Sequence, residues 1–167
     1  MVEQKSALKI TSPSDRELAM SRVFNAPRAL VWETLTKPEH IVRWFGRRQD
    51  TLVTCEVDLR PGGTARYVWR FTDGSEMGIT WTFREIVPPE RAVFTEAFDE
   101  PYKEEMGVET LNTVTLDERD GMTAVTFTTL YKSREDRDRA LATGMEAGAA
   151  ETFDRLAELL ETLKRPS

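Results

Sequence analysis

Between Ser133 and Lys164 the residues Leu141, Met145, Ala149, Thr152, Phe153, Leu156, Leu159, Leu160 and Leu163 return at steps of three and four. That recurrence draws one stripe along a 3.6-residue period and predicts a long amphipathic helix at the end of the chain. A one-sided helix is stable only against a surface that receives its stripe, so the rest of the sequence must supply that surface. Ser133 with Asp136 forms a capping-box-like start, Arg134 to Arg139 a charged opening, and Pro166 follows the end. At 1.5 Å per residue an unbroken helix would run roughly 45 Å, longer than a domain of this size needs. Thr143-Gly144 is therefore the expected kink or break, because a mid-helix Gly costs about 1 kcal/mol relative to Ala.

The receiving surface is legible as a change of period. Leu18 to Phe24 alternates as a strand does, and from Thr51 onward six further segments alternate: Leu52–Leu59, Ala65–Phe71, Met77–Val87, Ala92–Phe98, Thr110–Leu116 and Met122–Tyr131. Pro61-Gly62-Gly63, Asp73-Gly74, Pro88-Pro89 and Asp120-Gly121 punctuate them, so the segments read as an antiparallel meander. Between the first strand and the meander, Asn25-Ala26-Pro27 opens one short helix. Thr36-Lys37-Pro38-Glu39, a second capping-box pattern, opens another, which Gly46 ends. Asp99 to Glu109 is expected to be a flexible loop, and residues 1–16 a loose leader with a short extended piece at Ala7 to Ile10. Residues 17–165 then form a single α+β domain.

Composition removes several classes of function. A chain of 167 residues with 40% apolar residues can bury a core without a staple. A net charge of -6 argues against nucleic acid or anionic membrane surfaces as partners, since those need clustered Lys and Arg. One Cys and one His exclude an intrachain disulfide and the zinc or triad arrangements that use two imidazoles. No segment resembles a signal peptide or a membrane span, which leads us to expect a cytoplasmic protein. No phosphate-binding glycine loop, nucleophile elbow or metal-ligand spacing is present, so no cofactor or metal is expected.

The residues Arg22-Val-Phe-Asn-Ala-Pro27, Val31-Trp32, Pro38-Glu39-His40, Arg43-Trp44-Phe45-Gly46 and Gly144-Met145-Glu146-Ala147-Gly148 carry a resemblance. From Glu17 to Leu163 the chain resembles the homologues of the activator of heat-shock-protein-90 ATPase, within the SRPBCC (START-like, helix-grip) superfamily. The resemblance implies a curved seven-stranded antiparallel sheet that grips the C-terminal helix, with a cavity for apolar or amphipathic molecules between them. Relatives often carry Gly-Trp where this chain has Gly148-Ala149. Removal of an aromatic that buries about 150–250 Å² either enlarges the cavity or draws the helix toward the sheet.

Physical dimensions give an independent reason to expect a cavity. Seven strands spaced by about 4.8 Å span about 30 Å, whereas a helix with its side chains is about 10–12 Å across. One helix cannot cover that width. The inward-facing candidates are Tyr67 and Trp69 on one strand, Trp81 on the next, and Phe94, Glu96 and Phe98 on a third. Trp44 and Phe45 close one end, Met145, Ala149 and Phe153 face them from the helix, and Asn112 joins by the same parity. These aromatics either fill the space as core or line a ligand site. Arg22 lies between Met20 and Phe24, and Glu96 between Phe94 and Phe98, so both point inward. An unpaired buried charge is costly, so the two are expected to pair with each other or to anchor a ligand's polar group.

Other residues read as structural. His40 is expected at a surface or helix cap, Cys55 as a small buried hydrophobe, and Asp99, Glu100, Glu104 and Glu105 as a solvated acidic loop. Three functions follow as alternatives. One is a module that binds a small apolar or amphipathic molecule, and another is a cyclase-, aromatase- or hydrolase-like enzyme with a polar residue in the same cavity. The third is a chaperone-associated or other protein-interaction role. The sequence also admits a homodimer through a sheet edge or an outward aromatic such as Trp32.

Overall fold

The computed structural model describes residues 7–106 and 109–164. Its elements in chain order are β1 (Lys9–Thr11), β2 (Glu17–Phe24), α1 (Arg28–Thr36), α2 (Pro38–Ile41), β3 (Thr51–Val57), β4 (Thr64–Arg70) and β5 (Glu76–Val87). There follow β6 (Arg91–Phe98), α3 (Tyr102–Met106), β7 (Thr110–Arg119), β8 (Met122–Leu130), α4 (Arg134–Ala142) and α5 (Met145–Lys164). The strands form one sheet in the order β1-β2-β8-β7-β6-β5-β4-β3. Every pairing is antiparallel.

The sheet has eight strands rather than seven. Lys9, Ile10 and Thr11 pair with Ser21, Met20 and Ala19, so the extended piece expected at Ala7 to Ile10 within the leader is the edge strand β1. Residues 1–6 lie outside the described residues. Register shifts between Leu52 and Thr54 on β3, and between Phe83 and Glu85 on β5, mark bulges, which bend the sheet and increase its twist.

The terminal helix is divided where the sequence places its weak point. Gly144 takes φ +76°, a conformation that breaks α4 from α5 and that a side chain disfavours. Ser133 accepts the Asp136 backbone N–H at 3.0 Å, which caps α4. The stripe of α5 buries Phe153, Leu156, Leu159 and Leu160 in the main core, together with Phe24, Val31, Ile41, Tyr67 and Val125. A smaller cluster of Leu18, Tyr131 and Ala140 sits beneath α4.

Two local expectations need correction. The Thr36 hydroxyl does not cap α2; it donates to the Trp32 carbonyl at 2.7 Å, and α2 begins at Pro38 with Lys37 as its uncapped N-terminal neighbour. Asp99 to Glu109 is not all loop, because Tyr102–Met106 forms α3 and Asp99 makes a charged contact with Arg66. Residues 107 and 108 of that segment lie outside the described residues.

Candidate functional site

Between the concave face of the sheet and the helices α4 and α5 lies a cavity of about 320 Å³. Strand register explains its floor. Met20 faces Phe127 across β2 and β8, Thr129 faces Asn112, Asn112 faces Phe94, Thr110 faces Glu96, and Glu96 faces Trp81. Because alternate residues of each strand share a face, these pairs form one band across five strands. The roof comes from Ala140 and Thr143 near the end of α4, and from Met145, Ala149, Thr152 and Phe153 of α5.

Trp44 and Phe45 close one end, and their placement has identifiable causes. The Trp44 indole donates to the Thr34 carbonyl at 3.0 Å, and the Trp69 indole to the Phe45 carbonyl at 2.9 Å. Gly46 follows with φ +118°, and a Cβ there would stand 2.5 Å from Trp69 Nε1, so only glycine permits this approach. Arg155 of α5 then donates to the carbonyls of Gly46 at 2.8 Å and Arg43 at 2.9 Å, which fastens the turn to the helix. Phe45 is thereby held 5.0 Å from Tyr67 and 5.9 Å from Trp81 between ring centroids.

The polar groups of the cavity are few, and most are engaged. Asn112 accepts the Thr129 hydroxyl at 2.7 Å and donates to Thr110 Oγ1 at 3.0 Å. Asp136 pairs with Arg139 at 3.1 Å on α4. Glu96 receives the Trp81 indole N–H at 2.8 Å. Burial raises its carboxyl above the ordinary range, with the Trp81 bond opposing the shift. The Tyr131 hydroxyl is pushed up to about 12, chiefly by burial and secondarily by the negative charge of Glu96.

Of the residues expected to face a ligand, Trp44, Phe45, Trp81, Phe94, Glu96, Phe98, Asn112, Met145, Ala149 and Phe153 line this cavity. Three do not. Arg22 is buried but turns to Asp154 on α5 at 2.6 Å, so it pairs neither with Glu96 nor with the cavity. Tyr67 borders a separate void of about 40 Å³ among Trp32, Leu35, Val57 and Phe83. Trp69 belongs to the wall behind Phe45. Trp32 is only 8% exposed and presents no outward aromatic.

Sequence reasoning missed Met20, Phe127, Thr129 and Tyr131, and the contribution of α4. Strand parity carried a signal for the first four, since Met20 alternates with Arg22, and Phe127 with Thr129 and Tyr131. Cys55 is half-buried, and its thiol is pushed up to about 11, first by burial and then by Glu56, which matches a small hydrophobe and not a nucleophile. His40 is half-buried on α2 and lines neither cavity. Among the described residues no cluster of His, Cys, Asp and Glu could hold a metal ion, and no helix is long and apolar enough to cross a membrane.

A Rhodobacter sphaeroides protein of known structure is 28% identical, with 93% of this chain and 99% of that chain covered and a TM-score of 0.86. A Nitrosomonas europaea protein is 27% identical, with 90% and 97% covered and a TM-score of 0.80. DynU16, from the dynemicin biosynthetic locus, is 26% identical over 90% of this chain and 48% of its own, with a TM-score of 0.64. The chain matches no curated protein. The profile of the Activator of Hsp90 ATPase homolog 1-like proteins matches residues 25–161, which include both closing aromatics, the whole floor of the cavity except Met20, and its roof. The chain therefore belongs to the Activator of Hsp90 ATPase homolog 1-like family.

Proposed function

We propose that this protein binds a small apolar or amphipathic molecule in the cavity between the sheet and the terminal helices. One observation carries the reading: about 320 Å³ of space, walled by eight aromatic residues plus methionine and alanine side chains, sits where a domain otherwise packs its core solid. The helix-grip fold of the family generally holds small hydrophobic ligands, which agrees with that wall. Native mass spectrometry of freshly purified protein, followed by thermal unfolding with a library of apolar compounds, tests it. A retained small molecule, or a compound that raises the unfolding midpoint in proportion to the logarithm of its concentration, is the expected result. Bare mass and a flat library response would refute it.

Glu96 favours a second reading. A carboxyl whose affinity for protons is raised inside an apolar cavity has the character of a general acid or base, as an enzyme of the cyclase or hydrolase type would need. Turnover of a bound compound that disappears in Glu96→Gln, while binding of that compound persists, would favour catalysis over binding alone.

A further inference from the structure

Glu96 differs from every other charged group near the cavity. Asp136 and Arg139 of α4 neutralise each other, and Arg22 is taken by Asp154 outside the cavity wall. The amide of Asn112 is shared between Thr129 and Thr110. Glu96 has one protein donor among the described residues, the Trp81 indole, and that donor is neutral. The carboxylate is set among rings: Trp81 stacks on Phe94 at 4.1 Å, and Phe45 approaches Trp81 at 5.9 Å. Aromatic faces carry negative potential, so a carboxylate among them repels anions and attracts cations.

We infer that the ligand is a lipophilic amine, whose ammonium group pairs with Glu96 while its apolar body lies between Trp81, Phe94 and the α5 residues Met145, Ala149 and Phe153. This inference rests on the binding function proposed above and narrows it to one ligand chemistry. A fatty or aromatic acid fits the volume equally well but meets the Glu96 carboxylate with like charge, and among the described residues the cavity wall offers in exchange only Arg139, which is paired with Asp136. A neutral alcohol finds an acceptor without the charge attraction. Burial raises the proton affinity of Glu96, so an ammonium group that pairs with the carboxylate competes with a proton there, and amine binding strengthens as pH rises through the Glu96 titration. The other titratable groups facing Glu96 do not interfere. Tyr67 on β4 and Tyr131 after β8 are held neutral, principally by burial, and α4 contributes only the internally paired Asp136 and Arg139.

The test uses three probes of one shape: naphthylethylamine, naphthylethanol and naphthylacetic acid, titrated into the full chain by calorimetry in two buffers of different ionisation heat. The expected order is amine, alcohol, acid, with the amine about tenfold or more tighter than the alcohol, equivalent to about 1.4 kcal/mol, and with protons released on amine binding alone. In Glu96→Gln the ratio of amine to alcohol affinity should fall to about one. An alcohol as tight as the amine, or a Gln variant that keeps the amine preference, overturns the amine inference and leaves the cavity reading intact. Absence of binding by all three probes overturns both. Should the Gln variant fail to fold, the order of the three probes and the proton count in the native protein decide the matter.

Discussion

A guanidinium that is 7% exposed needs an acceptor, and Asp154 provides it for Arg22 from the facing helix. Because Asp154 itself is half open to solvent, the pair is weaker than a fully buried one. Asp154→Ala should lower stability by about 1–3 kcal/mol in chemical denaturation, the range for losing a charged hydrogen bond. The double variant Arg22→Met/Asp154→Ala should recover part of that loss, since an apolar side chain has no charge to leave stranded. Glu96 acts in the opposite sense. Its carboxyl binds protons more tightly folded than unfolded, so its contribution to stability is complete below the ordinary value of 4.5 and is lost as pH rises through the folded value. Glu96→Gln should therefore be more stable than the native protein at neutral pH, and the two midpoints should converge as the pH of thermal unfolding falls toward 4.5. Side-chain parity was enough to turn both charged residues inward from sequence alone. It could not choose their partners, because Arg22 and Asp154 lie 132 residues apart and their contact depends on how the helix is rotated against the sheet.

Among the elements, α4 and α5 are unequal halves of one stripe. α5 buries four residues, whereas α4 buries only Ala140. Elements with little buried apolar surface open locally at low free energy, so the amides of α4 should exchange hydrogen faster than those of α5. Ligand in the cavity should slow the exchange of α4, whose residues form part of the roof. Gly144→Ala tests the break itself. No atom stands within 4 Å of the added methyl, so the cost is confined to the backbone, and an unfolding free energy lower by about 1–2 kcal/mol is expected. The break was legible because Thr143-Gly144 interrupts an otherwise continuous period. The extended piece expected at Ala7 to Ile10 is β1, displaced by one or two residues, whereas α3 was not recovered, because five residues are too few to establish a helical period.

At the scale of the whole molecule, the cavity follows from a mismatch of widths. An eight-stranded curved sheet is broader than the helix it receives, and Trp44 and Phe45 plug one end only. That mismatch could be inferred from strand count, but the extent of the void could not, since it depends on rings that either fill space or stand back from it. Ala149 is the position at which the void can be reclaimed. Ala149→Trp should abolish ligand-dependent stabilisation while the midpoint of the empty protein moves by no more than about 4 °C, near 1 kcal/mol for a chain of this size. A large midpoint loss in that variant would mean that the roof already rests on the floor.

The order of the sheet has a consequence for synthesis. β2 is made early yet pairs with β8, so Arg22 waits for Val125, more than a hundred residues later, before its strand has a neighbour on that side. The meander from β3 to β7 can assemble in the meantime, and the concave row of Trp81, Phe94 and Phe98 then stays uncovered until α5 has left the ribosome. At about 5–20 residues per second that interval lasts on the order of seconds. A nascent chain of this protein therefore shows the world its stickiest surface before it owns the means to hide it, and any compound able to settle there early would meet the fold while it is still being finished.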